Sequence, residues 1–298
     1  MEITLLSFSS PIHHRLHIGH KEARFFGGSS STLVSNLCTH RGTTYKHPVL
    51  RISHKELKVE SKVRGACFYV VTAFSAIFLF VLMMVGHPLV LLFDRYRRKF
   101  HHFIAKVWAT LTVAPFFKIE FEGMENLPPP DTPAVYVSNH QSFLDIYTLL
   151  TLGRSFKFIS KTGIFLFPII GWAMFFLGVI PLKRMDSRSQ LDCLKRCMDL
   201  IKKGASVFFF PEGTRSKDGK LGTFKKGAFS VAAKTNTPLV PITLIGTGQI
   251  MPAGKEVILS LGGTILFMLE HLTFVLQEKV GGCIALTEGF LDVGITYA

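Results

Sequence analysis

The polar clusters in this sequence have side-chain types and spacings suited to acid–base and anion chemistry. The first is Asn139-His140-Gln141-Ser142-Phe143-Leu144-Asp145. A carboxylate against one nitrogen of an imidazole fixes its tautomer and raises the basicity of the other nitrogen. Such a pair can take a proton from an alcohol. In one continuous helix a spacing of five residues separates two side chains by about 140° around the axis. His140 and Asp145 therefore meet only if His140 sits in a loop and Asp145 near the start of a helix. The spacing alone equally suits a surface imidazole beside a helix-capping carboxylate. The second cluster is Phe210-Pro211-Glu212-Gly213-Thr214-Arg215-Ser216, directly after an apolar run. A Glu and an Arg in a Gly-containing turn suit a polar or anionic ligand, since Arg grips phosphate bidentately. The same residues also make an ordinary strand-to-helix turn. The third is Gly178-Val179-Ile180-Pro181-Leu182-Lys183-Arg184, an apolar run that ends in cations. Val240-Pro241-Ile242 reads as a strand and no more.

The elements that must position these residues follow from periodicity. Residues 118–123, 134–139, 156–161, 179–184, 206–211 and 239–246 read as short apolar strands, with a Pro-rich turn at Pro128-Pro129-Pro130 between the first two. Residues 145–152, 187–204 and 225–236 read as helices, and 164–177 as an apolar helix or membrane-contacting element. In the helix at 187–204 the apolar positions Leu191, Leu194, Met198 and Ile201 share one face, with Gly204 as its end signal. Strands alternating with helices predict an α/β domain with a central, mostly parallel sheet and flanking helices. Each polar cluster falls at a strand end, where open α/β sheets place their sites.

Ahead of this domain the sequence predicts an N-terminal membrane-associated helical segment at 65–117. Residues 65–93 contain no charged side chain, and a bilayer needs roughly 20 apolar residues. Arg64 precedes the run, and Arg95, Arg97, Arg98 and Lys99 follow it. Pro88 leaves open one span or a bent hairpin. A second apolar stretch, 103–117, is broken by Lys106 and reads as an interfacial helix. Residues 1–60 are rich in Ser, Thr and His and poor in acid. That composition marks an organelle transit peptide, here a chloroplast one.

Charge is unevenly spread. The chain of 298 residues is 48% hydrophobic, only 18% charged, and yet carries a formal net charge of +14. Residues 1–65 carry +6, 66–150 carry none, 151–250 carry +11 and 251–298 carry −3. The apolar content excludes a disordered chain, and the low charge density with no recognised motif excludes a nucleic-acid binder. Cys38, Cys67, Cys193, Cys197 and Cys283 show no metal-site spacing, so no metal is expected and free thiols are.

In series, Asn139–Asp145, the strand from Gly178 to Arg184, Phe210–Ser216 and Val240–Ile242 resemble the glycerolipid acyltransferase family, most closely the plastidial 1-acyl-sn-glycerol-3-phosphate branch of plants. The resemblance covers roughly residues 95–255. It implies that His140 is the base and Asp145 its orienting carboxylate. It implies that Glu212, Gly213, Thr214 and Arg215 form a substrate-binding turn, that Lys161 and Arg184 lie near the acceptor phosphate, and that Pro241 belongs to the acyl-donor side. The implied reaction moves an acyl group from acyl-carrier protein or acyl-CoA to lysophosphatidate, at a chloroplast membrane, the inner envelope, with no cofactor. An acidic carrier protein or anionic lipid would suit the basic block. The other readings are the same fold acting on another lysophospholipid or on glycerol 3-phosphate, and a catalytically silent membrane adaptor.

The resemblance places the acyltransferase domain at 118–255 and ends near Glu256. The remainder, 256–298, is an atypical tail with reversed local charge. From the sequence, the sheet is expected to lack its last regular strand.

Overall fold

The computed structural model describes residues 54–260 and 263–269. Most of the leader, with Cys38, and the tail from 270, with Cys283, lie outside the described residues.

The chain begins with two helices, α1 (His54–Phe93) and α2 (Lys99–Val113). α1 is one helix through Pro88. The ring removes one backbone hydrogen bond, but packing holds the helix on both sides of it. Met83 is buried in a cluster with Ile104 of α2 and Phe176, and Val90 is buried about two turns on. Only one stripe of α1, with Ser61, Phe68, Met83 and Val90, is covered, whereas Phe74, Phe78, Val85, Leu89 and Leu92 are exposed. Val59–Phe93 is long and apolar enough to cross a membrane, and just 11% of its most apolar window is buried, unlike a soluble core helix.

The described residues then build a seven-stranded sheet. Its strands are β1 (Lys118–Glu122), β2 (Val135–Ser138), β3 (Phe156–Lys161), β4 (Ile180–Leu182), β5 (Ser206–Phe209), β6 (Leu239–Ile245) and β7 (Thr264–Leu269), in the order β1-β7-β6-β2-β5-β3-β4. All neighbours are parallel except β6 and β7. The helices that follow α2 are α3 (Leu144–Thr151), α4 (Ile170–Leu177), α5 (Ser187–Lys202), α6 (Gly227–Thr235) and α7 (Thr247–Ile250). The pleat sends alternate residues to opposite faces. Tyr136, Phe156 and Phe208 pack with Ala105 and Ala109 of α2 and Leu149 of α3. Val135, Val137, Val207 and Phe209 pack with Cys193, Cys197 and Ile201 of α5 and Val231 of α6. The result is the expected α/β architecture, with helices on both faces.

One expectation is corrected. Thr264–Leu269 supplies a regular strand, β7, between β1 and β6, parallel to the first and antiparallel to the second. Ile265, Phe267 and Leu269 are buried and alternate with less buried neighbours. That period of two is what lets the segment close the sheet.

Lys157 is nearly fully buried near the start of β3. Its Nζ donates to the carbonyls of Arg97 (2.7 Å) and Leu177 (2.9 Å) and lies 3.1 Å from His102 Nε2. Burial pushes its ammonium down to about 7, whereas the unfolded chain titrates near 10.4. Between these values the unfolded chain holds a proton that the folded chain has lost. Stability should therefore rise with pH across that window, by up to about 1.4 kcal/mol per unit. Lys157→Met lacks this group. Thermal midpoints measured from about pH 7 to about pH 10 should show the parent gaining on the variant, and two parallel curves would refute it.

Candidate active site

The parallel strands β6, β2, β5, β3 and β4 bring their carboxyl ends to one edge of the sheet. Lys161 is the last residue of β3, Arg184 follows β4, Glu212 follows β5 and His140 follows β2. Topology thus gathers on one edge what lies up to 72 residues apart in sequence.

His140 sits in the loop between β2 and α3, and Asp145 is the second residue of α3. This is the arrangement the five-residue spacing requires. Asp145 is fully buried, and its Oδ2 accepts from His140 Nδ1 and from the backbone N–H groups of Gln141 and Ser142, each at 2.8 Å. One oxygen therefore orients both the ring and the loop. With Nδ1–H given to the carboxylate, the lone pair is left on Nε2. The ring face stacks on Phe210, centroids 3.9 Å apart and planes 16° apart.

The loop backbone is held from three sides. The Asn139 amide donates to the carbonyl of Leu244 and accepts from its N–H, both at 2.8 Å, so a side chain continues the β2–β6 ladder beyond the strand. Glu212, also buried, accepts from His140 N–H at 2.7 Å with Oε1 and from Gly222 N–H at 2.9 Å with Oε2. The His140 carbonyl accepts from Ser216 N–H at 2.8 Å. Ser142 Oγ donates to Met251 O at 2.7 Å and accepts from Leu144 N–H.

The other expected residues are placed as follows. Gly213 has φ 73°, the left-handed turn conformation that favours glycine. Thr214 is exposed. Arg215 donates to Glu256 Oε1 at 2.7 Å. Backbone N–H groups of Glu256 itself and of Gly254, then Arg215, hold the Glu256 carboxyl below its ordinary range. Lys161 and Arg184 are exposed, and their side chains make no hydrogen bond or ion pair among the described residues. At roughly 4.8 Å per strand, β3 and β4 lie about 10 and 14 Å from β2. Pro241 is buried inside β6, in register with Val137. It belongs to the sheet that carries the site. Glu212 has the buried geometry of a clamp on the loop. Asn139 and Phe210 were missed as site residues. Both lie within the clusters that drew attention, and pairing and stacking partners are not written in local sequence.

The Acyltransferase family model matches residues 118–245. A chloroplastic 1-acyl-sn-glycerol-3-phosphate acyltransferase of Brassica napus is 69% identical over 220 residues, 74% of this chain and 62% of that protein. The chain thus spans about three fifths of that relative's length. A 1-acyl-sn-glycerol-3-phosphate acyltransferase of Pseudomonas aeruginosa is 31% identical over 192 residues, 64% of this chain and 73% of the relative. The crystal structure of the 1-acyl-sn-glycerophosphate acyltransferase PlsC of Thermotoga maritima superposes with a TM-score of 0.62 at 26% identity, covering 72% of this chain and 85% of that one.

Glu212→Ala leaves the N–H groups of His140 and Gly222 without their acceptor. The expected loss is about 2–4 kcal/mol of stability, read from the denaturation midpoint, with Glu212→Gln in between. A change within about 0.5 kcal/mol, the range of ordinary surface substitutions, would show that the clamp is dispensable.

Proposed function

Because the chain belongs to the acyltransferase family, we propose that it transfers an acyl group from a thioester to the sn-2 hydroxyl of 1-acyl-sn-glycerol 3-phosphate, making phosphatidate. The observation that carries this reading is the 2.8 Å contact between His140 Nδ1 and a fully buried Asp145, on a loop fixed by Glu212.

In this reaction His140 Nε2 takes the hydroxyl proton as the oxygen attacks the thioester carbonyl. The tetrahedral intermediate collapses by breaking the carbon–sulfur bond, and the imidazolium returns its proton to the departing thiolate. No covalent enzyme intermediate is required. Within the 211–216 turn, the backbone N–H groups of Gly213 and Ser216 are already given to Phe210 O and His140 O, so those of Glu212, Thr214 and Arg215 are the donors offered to the oxyanion. Lys161, Arg184 and Arg215 supply positive charge for the acceptor phosphate. The donor is acyl-carrier protein or acyl-CoA, and an acidic carrier would meet the +11 of residues 151–250.

The acceptor is amphiphilic and arrives from a bilayer. The exposed apolar side of α1 supports membrane association. The chloroplastic relative and the composition of residues 1–60, a proposed transit peptide, support a chloroplast membrane, which we assign to the inner envelope.

Purified chain should be assayed with lysophosphatidate and each thioester in turn. His140→Ala should lose about 10²–10⁴-fold in turnover. Undiminished activity in that variant would exclude His140 as the base. Lys161→Ala and Arg184→Ala should raise KM for lysophosphatidate about tenfold or more, with a smaller change in kcat. An unchanged KM would remove both from the phosphate site.

A further inference from the structure

The edge of the sheet opposite the His140 loop has a basic cavity of its own. Strands β3 and β5 begin at this edge, and α5, running back along the sheet, ends there. The cavity has a volume of about 380 Å³ and is lined by Arg95, Arg98, Lys157, Arg196, Asp199 and Lys203, among others. Besides buried Lys157, four cationic side chains line it, against one carboxylate.

Its walls are shaped to present these cations. Arg98 has φ 58°, a left-handed conformation uncommon outside glycine. Its guanidinium donates to the carbonyls of Phe175 and Phe176 at 2.5 and 3.0 Å. Gly178, φ 74°, faces it, and a Cβ there would stand 3.4 Å from the guanidinium. Burial first, then Arg196 and Arg95, push the Arg98 guanidinium down from its ordinary value. The side chains of Arg95 and Arg196 make no hydrogen bond or ion pair among the described residues. Cations gathered this closely repel one another unless an anion lies among them.

The surroundings of the cavity are apolar. Arg98 lies 5.9 Å from the centre of the Phe175 ring. Phe175 and Trp172 are exposed, as is Phe93 at the end of α1, two residues before Arg95. A cationic cavity directly beside exposed apolar surface matches an amphiphile with an anionic head.

The geometry points to a binding site for a phosphate-bearing anion at this amino-terminal edge of the sheet, with the headgroup of an anionic phospholipid as its occupant. It is a site apart from the reaction proposed at His140, on the other edge of the sheet. It would fix the α1–α2 corner and the domain against an anionic bilayer.

Arg196 and Lys203 are exposed, so Arg196→Gln/Lys203→Gln tests the site without threatening the fold. Lys226→Gln/Lys234→Gln, equally exposed at the two ends of α6 and outside the cavity lining, removes the same charge elsewhere. Flotation of the full chain with mixed phosphatidylcholine–phosphatidylglycerol vesicles, against pure phosphatidylcholine, reads lipid binding. The thermal midpoint with inorganic phosphate, against chloride at equal ionic strength, reads free phosphate. The first pair should weaken binding to the phosphatidylglycerol vesicles roughly thirtyfold, and the second by less than about threefold, since screening isolates distant charges. If phosphate also raises the midpoint of the parent but not of the first pair, the same site accepts free phosphate. Equal losses for the two pairs would show only diffuse charge attraction and overturn the site. So would a first pair that keeps both the vesicle binding and the phosphate response of the parent. Acyl transfer by detergent-dispersed protein is read separately, so either result leaves the assignment of His140 untouched.

Discussion

In the role proposed for His140, a base is useful only if its free nitrogen is held still, and here that depends on the backbone of four residues, 139–142. These residues belong to neither a strand nor a helix, so no regular ladder satisfies their polar groups. Three buried side chains do so instead. Asn139 imitates a strand residue toward Leu244, Glu212 takes the N–H of His140, and Asp145 takes the next two N–H groups together with the ring. A buried N–H without an acceptor costs about as much as a lost hydrogen bond. Each of these side chains is therefore held in place by the loop that it holds.

That mutual constraint explains why the site needs a parallel sheet. Asn139 reaches Leu244 only because β6 lies beside β2, and Glu212 reaches His140 only because β5 lies on its other side. Helices on both faces bury β2 completely, and the strand on which the loop is mounted has no solvent face. Lys161, at the end of β3, and Arg184, just beyond the edge strand β4, lie further out, where as exposed side chains they pay no desolvation penalty.

Much of this was legible in sequence, because it is local. Strand and helix periods, the turn at Gly213, and the need for a loop His before a helical Asp all follow from neighbouring residues. What was not legible depends on residues far apart in the chain. Leu244 is 105 residues from Asn139, and nothing near either one announces the pairing. The strand Thr264–Leu269 is a nearly continuous apolar run, in which nothing local separates Ile265, Phe267 and Leu269 from Leu266 and Met268; which of them are buried, and the place of the strand between β1 and β6, follow from topology. Glu212 shows the same limit differently: a Glu in a Gly-containing turn suits a ligand, and only burial with two backbone partners adds the part it plays in clamping the His140 loop.

Arg215 shows how the same turn links the site to the apolar helix α1. Its guanidinium is paired with Glu256, whose carboxyl is kept ionised by backbone N–H groups as well as by Arg215. The Glu256 carbonyl in turn accepts from Tyr69 of α1 at 3.0 Å, and Ser61 of α1 donates to Leu259 O at 2.8 Å. Residues 256–259 thus strap α1 to the turn that fixes His140. A phosphate approaching Arg215 would meet a guanidinium already partly neutralised and a carboxylate of its own sign. In the proposed reaction the acceptor phosphate must therefore draw chiefly on unpaired Lys161 and Arg184. In that proposal Arg215 contributes more as the tie by which α1 stays in register with the His140 loop.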